Sequence, residues 1–135
     1  MKIYKKRLIT SILAAILVFC TATFFPSAAS ADSFLEIGTQ KSTSMTVSGK
    51  NYWGDISKST YTGTIRTGYE NAAGLTVTIR LYYNNGGAMT HVDWTSNSHG
   101  TSITYTPSNL PGKVSTVYGN HILSYNGAYR LYTRA

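Results

Sequence analysis

Alternating apolar and polar side chains mark the clearest element of the chain, residues 75–83, with the sequence LTVTIRLYY. The apolar members of this segment fall on one face: Leu75, Val77, Ile79, Leu81 and Tyr83. Because successive side chains of a strand point to opposite faces, the pattern predicts a strand with one face in a core and one in water. The Asn-Asn-Gly-Gly sequence at 84–87 tolerates positive φ and predicts a reversal into a second strand at 88–94.

A third strand is predicted just upstream, at 60–69. A turn at 70–74, with the sequence ENAAG, would join it to the strand that starts at residue 75. The three strands would then form a meander. Two weaker strand candidates precede it, at 42–49 and 51–57.

The last third of the chain repeats the pattern. Strands are predicted at 101–106, 113–118, 121–125 and 128–133. The segment 107–112 (PSNLPG) separates the first two, because its prolines cannot continue a strand ladder. Asn126-Gly127 separates the last two and is the strongest short hairpin signal in the chain.

No segment has a helical period, and threonine, tyrosine, serine, valine, isoleucine and glycine dominate the composition, which favours strands and turns. About seven or eight short strands at the spacing typical of such folds predict a small antiparallel all-β sandwich or barrel.

Residues 1–31 have the pattern of an export signal. A basic start (Lys2, Lys5, Lys6, Arg7) precedes an apolar run, and Ala29-Ser30-Ala31 fits the A-x-A cleavage site. A membrane anchor is the alternative, because the run is near the lower limit for a spanning helix. The cleavage site favours removal, so we predict a secreted, extracellular protein with no membrane span after cleavage.

Cleavage would leave 104 of the 135 residues as one β domain at 32–135, with 32–43 as a loosely ordered arm. The single cysteine, Cys20, lies in the signal, so the mature domain has none. An exported, cysteine-free chain with a lysine-rich signal is typical of Gram-positive bacteria. Eight bases and five acids remain after cleavage, a net charge of +3 that is spread along the chain. Nucleic-acid binding needs a clustered basic stripe, so we predict no nucleic-acid partner.

The segment 90–100 (THVDWTSNSHG) is the main candidate for chemistry. Strand alternation places His91 and Asp93 outward and Val92 and Trp94 towards the core, and 95–100 resembles a polar loop. His99 and His121 could complete a metal site with the outward pair, but nothing in their spacing brings the four together. The serine-hydrolase G-x-S-x-G motif is absent, and the acids are isolated. We therefore predict no catalytic residue, metal or cofactor, and favour a non-catalytic function.

Aromatic residues are unusually frequent, since ten of the eleven tyrosines and both tryptophans lie after the signal. Arg80 and Tyr82 share the outward face of one predicted strand, and Arg130 and Tyr132 share that of another. With Trp53, these residues form the predicted binding set, because tyrosine, tryptophan and arginine are enriched where proteins recognise partners. Cross-strand aromatic pairing on a solvated face would explain the same residues without a ligand.

These observations favour a secreted non-catalytic binding protein that acts at a cell envelope or on a secreted partner. In size, export and composition the chain resembles the small cysteine-free sandwich bacteriocins of the lactococcin 972 type, which bind a cell-wall precursor. That resemblance implies an antibacterial action at the envelope, and it transfers no residues.

Three alternatives remain open from the sequence. The first is a carbohydrate-binding, lectin-like module that stacks sugars on Trp53, Trp94 or Tyr82. The second is a small metal-dependent enzyme centred on His91 and Asp93. The third is a protease inhibitor with its reactive loop at 106–113 (TPSNLPGK). The partners expected across these hypotheses are an envelope component, a glycan or a secreted protein.

Overall fold

The computed structural model describes residues 37–135, which form an antiparallel all-β fold. The predicted export signal and residues 32–36 of the predicted arm lie outside these residues. None of residues 37–135 belongs to a helix long and apolar enough to cross a membrane. The strands are β1 Ser42–Val47, β2 Lys50–Lys58, β3 Gly63–Asn85, β4 Ala88–Tyr105, β5 Val114–Ser124 and β6 Ala128–Arg134.

The long strand β3 organises the sheet. Its first part pairs with β2, from Gly63 to Tyr69, and its second part pairs with β5, from Gly74 to Tyr83. Strand β4 pairs with both parts of β3, and the register between them shifts between Gly68 and Ala73. The alternation predicted for 75–83 is confirmed, because Leu75, Val77, Ile79 and Leu81 are fully buried while the residues between them are half-buried.

The turn predicted at 70–74 is wrong, because these residues form a corner within β3. A bulge of this kind adds residues to one strand of a pair, so it bends the chain without reversing it. Ala73 packs into the core at the corner. The carboxylate of Glu70 accepts a hydrogen bond from the backbone N–H of Asn51 at 2.7 Å, which ties the corner to the start of β2.

The polar loop predicted at 95–100 is also wrong, because these residues continue β4. Pairing with β3 overrides the weak strand preference of serine, asparagine and glycine. The hydroxyl groups of Thr78 and Thr95, for example, lie 2.9 Å apart across the two strands. The strands predicted at 88–94 and 101–106 are therefore one strand, and those at 113–118 and 121–125 are both part of β5. This merging gives six strands among the described residues, fewer than predicted.

Tight turns connect the hairpins as the sequence predicts. Gly86 and Gly87 have φ of 63° and 94° between the paired residues Asn85 and Ala88, so both loop residues have positive φ, as a type I′ turn requires. Asn126 and Gly127 (φ 50° and 134°) connect β5 to β6, which confirms that hairpin. Ser48 and Gly49 form a third turn, between β1 and β2.

The sheet nearly closes as a barrel. Gln40 and Arg134 exchange backbone hydrogen bonds of 3.0 and 2.8 Å, which link the segment before β1 to the end of β6. Residues 42 and 43 of the predicted arm belong to β1. The interior is filled by Val47, Tyr52, Ile56, Ile65, Tyr69, Ala73, Leu75, Val77, Ile79, Leu81, Ile103, Val114, Val117, Leu123 and Leu131.

Candidate functional site

A shallow pocket lies on the β1–β2 hairpin. Alternation in β2 buries Tyr52, Gly54 and Ile56 and leaves Trp53 and Asp55 half-buried on the other face. Ser44 pairs with Trp53, and Ser42 pairs with Asp55, so that two hydroxyl groups face the aromatic ring and the carboxylate. The pocket has a volume of about 360 Å³ and is lined by Ser42, Thr43, Ser44, Asn51, Trp53, Gly54 and Asp55. We refer to it as the Trp53 pocket.

The ring of Trp53 lies over the backbone of β3. A β-carbon built on Gly68, its cross-strand partner, would come within 2.5 Å of ring atoms Cε2 and Cζ2. Only glycine leaves room for so close an approach of an aromatic ring to a strand. The ring is therefore held in one position at the pocket, with its body supported by the sheet.

The carboxylate of Asp55 is held by Arg66 of β3. Arg66 Nε donates a hydrogen bond of 2.8 Å to Asp55 Oδ1, and the two residues are cross-strand partners. This hydrogen bond and the charge of Asp55 raise the pKa of Arg66 above its ordinary value. The pocket rim therefore carries a fixed, ionised carboxylate, which accepts hydrogen bonds from ligand hydroxyl groups.

A second group of predicted residues meets on the far part of the sheet. Arg80 of β3 and Asp93 of β4 are cross-strand partners joined by two hydrogen bonds of 2.7 Å, Nε to Oδ1 and Nη2 to Oδ2. The Arg80 side chain is only 12% exposed, against 41% for that of Asp93. The two predicted site residues thus bind each other in a bidentate pair.

Tyr82 is at the centre of an aromatic group on the same face. Its ring centroid lies 5.1 Å from that of His91 and 5.8 Å from that of Tyr118, the latter in an edge-to-face arrangement. Arg134 of β6 covers the opposite strand's Tyr118 at 5.1 Å from the ring centroid. These are the cross-strand pairs that the sequence offered as the structural explanation of the aromatic residues.

The other predicted binding residues lie on β6. Arg130 is exposed, Tyr132 is half-buried, and Leu131 between them is buried, as the alternation predicts. They pair with Ile122 and Asn120 of β5. They share a sheet face with Arg80 and Tyr82, with β5 between the two strands, and Trp53 lies apart from all four on the β1–β2 hairpin.

The four histidine and aspartate candidates do not come together. His91 and Asp93 lie exposed on β4, His99 pairs with Gly74 at the corner of β3, and His121 is buried inside the barrel. No group of three or more histidine, cysteine or acidic residues within residues 37–135 could hold a metal ion. Val92 and Trp94, predicted as core anchors, are half-buried, and Trp94 packs against the core.

His121 is a polar side chain in the interior. Its Nε2 lies 2.8 Å from the hydroxyl of Thr133, and its ring packs against Gly54, where a β-carbon would come within 2.6 Å. Burial lowers the pKa of His121 to about 4, although the charge of Asp55 acts in the opposite direction. The imidazole is therefore neutral at neutral pH.

Sequence reasoning identified Trp53 but missed Ser42, Ser44 and Gly68. The missing signal was Ser48-Gly49, whose identification as a two-residue turn would have set the register of β1 on β2. No protein-family model matches the chain, and a search of curated proteins gives no significant match.

Proposed function

We propose that this protein is a secreted, non-catalytic binding module that acts at a cell envelope by recognising a glycan in the Trp53 pocket. The observation that carries the proposal is the combination of a supported tryptophan ring with fixed polar groups in one shallow pocket. Its volume of about 360 Å³ lies within the range of roughly 300–1,000 Å³ for small-molecule sites.

The chemistry of the pocket suits a sugar. The apolar C–H face of a pyranose packs on a flat aromatic ring, while its hydroxyl groups need donors and acceptors around the rim. Trp53 offers the ring, and the rim offers the Asp55 carboxylate, the Asn51 amide and the hydroxyls of Ser42 and Ser44. Because Trp53 rests on Gly68 and Asp55 on Arg66, binding would order few side chains and lose little entropy.

Export supports an extracellular setting. The basic start, apolar run and A-x-A site at 1–31 are the pattern of a cleaved signal. A protein outside the cell meets the glycans of envelopes at high local density, so a module with one modest site can remain bound through repeated contacts.

Retention on immobilised glycans tests the proposal. Residues 32–135 are run in affinity electrophoresis through gels that contain peptidoglycan fragments, chitin or β-glucan, beside Trp53→Ala and Tyr82→Ala. We expect retardation by at least one glycan, loss of that retardation in Trp53→Ala, and its preservation in Tyr82→Ala. Unchanged migration of the wild-type protein in every gel would overturn the proposal.

A further inference from the structure

A second pocket adjoins the Trp53 pocket on the same hairpin. It has a volume of about 350 Å³ and is lined by Thr39, Lys41, Ser57, Lys58 and Ala135. Lys41 directly precedes Ser42, and Ser57 follows Asp55 by two residues, so each pocket contributes neighbours to the other. We refer to it as the lysine pocket.

The side chains of the lysine pocket carry two positive charges and no negative charge. Lys58 Nζ donates a hydrogen bond of 2.7 Å to the backbone oxygen of Ser115, a neutral acceptor, so its charge is not cancelled. Lys41 is exposed and forms no ion pair with another described residue. The hydroxyl groups of Thr39 and Ser57 complete a set of donors that suits an anionic oxygen group.

The two pockets differ in charge in a way that assigns them different parts of one ligand. The carboxylate of Asp55 in the Trp53 pocket is paired with Arg66, whereas the two lysines face no carboxylate side chain in their pocket. Ser57 and Asp55 share a face of β2, with α-carbons about 7 Å apart, and Trp53 is about 13 Å from Ser57 along the strand. A short oligosaccharide can cover that distance.

We infer that the ligand is an acidic saccharide, with a sugar ring on Trp53 and a carboxylate or phosphate group between Lys41 and Lys58. This inference rests on the proposed function, because it extends the glycan from the Trp53 pocket. It explains why two lysines, Lys41 and Lys58, line a pocket directly beside the aromatic site. It also predicts that charge adds to affinity and that salt weakens only that contribution.

Binding of paired acidic and neutral polysaccharides tests the inference. Wild-type residues 32–135, Lys41→Gln/Lys58→Gln and Trp53→Ala are titrated with a uronic-acid polymer, a glycerol-phosphate polymer and a neutral β-glucan at low salt. The control is Lys113→Gln/Arg130→Gln, which removes the same charge outside both pockets, and thermal unfolding verifies that every variant is folded.

We expect the Lys41/Lys58 variant to lose about tenfold in affinity for an acidic polymer and to bind the neutral glucan like the wild type. Preference for the uronic-acid polymer would identify a carboxylate as the bound group, and preference for the other polymer a phosphate. If the variant matches the control on both acidic polymers, or only its melting temperature falls, the inference is wrong and the proposed function stands. If Trp53→Ala binds every polymer like the wild type, the proposed function fails, and the inference fails with it.

Discussion

The indole ring of Trp53 lies against the bare α-carbon of Gly68, its partner across β2 and β3. A β-carbon at Gly68 would come within 2.5 Å of the ring, closer than any real contact. The pocket therefore depends on a pair of residues, one that supplies the aromatic surface and one that leaves room for it.

Gly68→Ala should displace the Trp53 ring and weaken glycan binding as strongly as loss of the tryptophan. We also expect a cost of about 1–3 kcal/mol in the free energy of unfolding, the usual penalty for overpacking. Gly100→Ala is the matched control, because Gly100 also lies in a strand and has nothing within 4 Å of its added methyl group. Tryptophan fluorescence and binding by both variants provide the measurement, and equal behaviour of the two would contradict the role given to Gly68.

The bidentate pair of Arg80 and Asp93 should stabilise the fold more than the single-bonded pair of Arg66 and Asp55. Arg80 is 12% exposed and Arg66 is 55% exposed, so solvent screens the second pair more strongly. A double-mutant cycle with Arg80→Gln and Asp93→Asn should give a coupling of about 1–2 kcal/mol in urea unfolding. The same cycle on Arg66 and Asp55 serves as the comparison. A larger coupling there would show that burial does not decide the strength of these pairs.

Stability should fall as the pH is lowered, because His121 must remain neutral in the folded barrel. Its pKa is about 4 when folded and about 6.5 when unfolded, so the unfolded chain binds the proton more readily between these values. The stabilisation is complete above pH 6.5 and is lost progressively towards pH 4, by up to about 3 kcal/mol. His121→Gln keeps a polar group near Thr133 without the titration.

Urea unfolding of the wild type and His121→Gln at a series of pH values measures this effect. The difference in unfolding free energy between the two proteins should change across the window from pH 6.5 to pH 4 and stay constant above it. A difference that is independent of pH throughout would show that His121 does not titrate differently in the folded and unfolded states.

The sequence was sufficient to predict the all-β class, the buried face of β3 and the turns at 84–87 and 126–127. It also contained more of the contacts than was read from it. A two-residue loop fixes the pairing on both sides of the turn, so the turn at Gly86-Gly87 already places Arg80 opposite Asp93. In the same way, a turn at Ser48-Gly49 places Ser44 opposite Trp53.

The rest depends on contacts between distant segments. Whether 70–74 reverses or only bends the chain is decided by β2 and β5, which pair with the two parts of β3. The burial of His121 likewise depends on Gly54, which lies on a strand far away in sequence. Local propensity contains neither fact, so short turn-like and loop-like segments were interpreted as breaks in strands that are continuous.

The central claim is that a glycan binds on Trp53, and fluorescence of that side chain tests it most directly. The chain has two tryptophans, so Trp94→Phe leaves Trp53 as the sole tryptophan reporter. We expect titration of this variant with the glycan that retards the protein to shift the emission and saturate, and Trp53→Ala to lose at least about 2 kcal/mol of binding, roughly 30-fold. Saturable binding of that glycan with no change in Trp53 emission, and with full affinity in Trp53→Ala, would contradict the account.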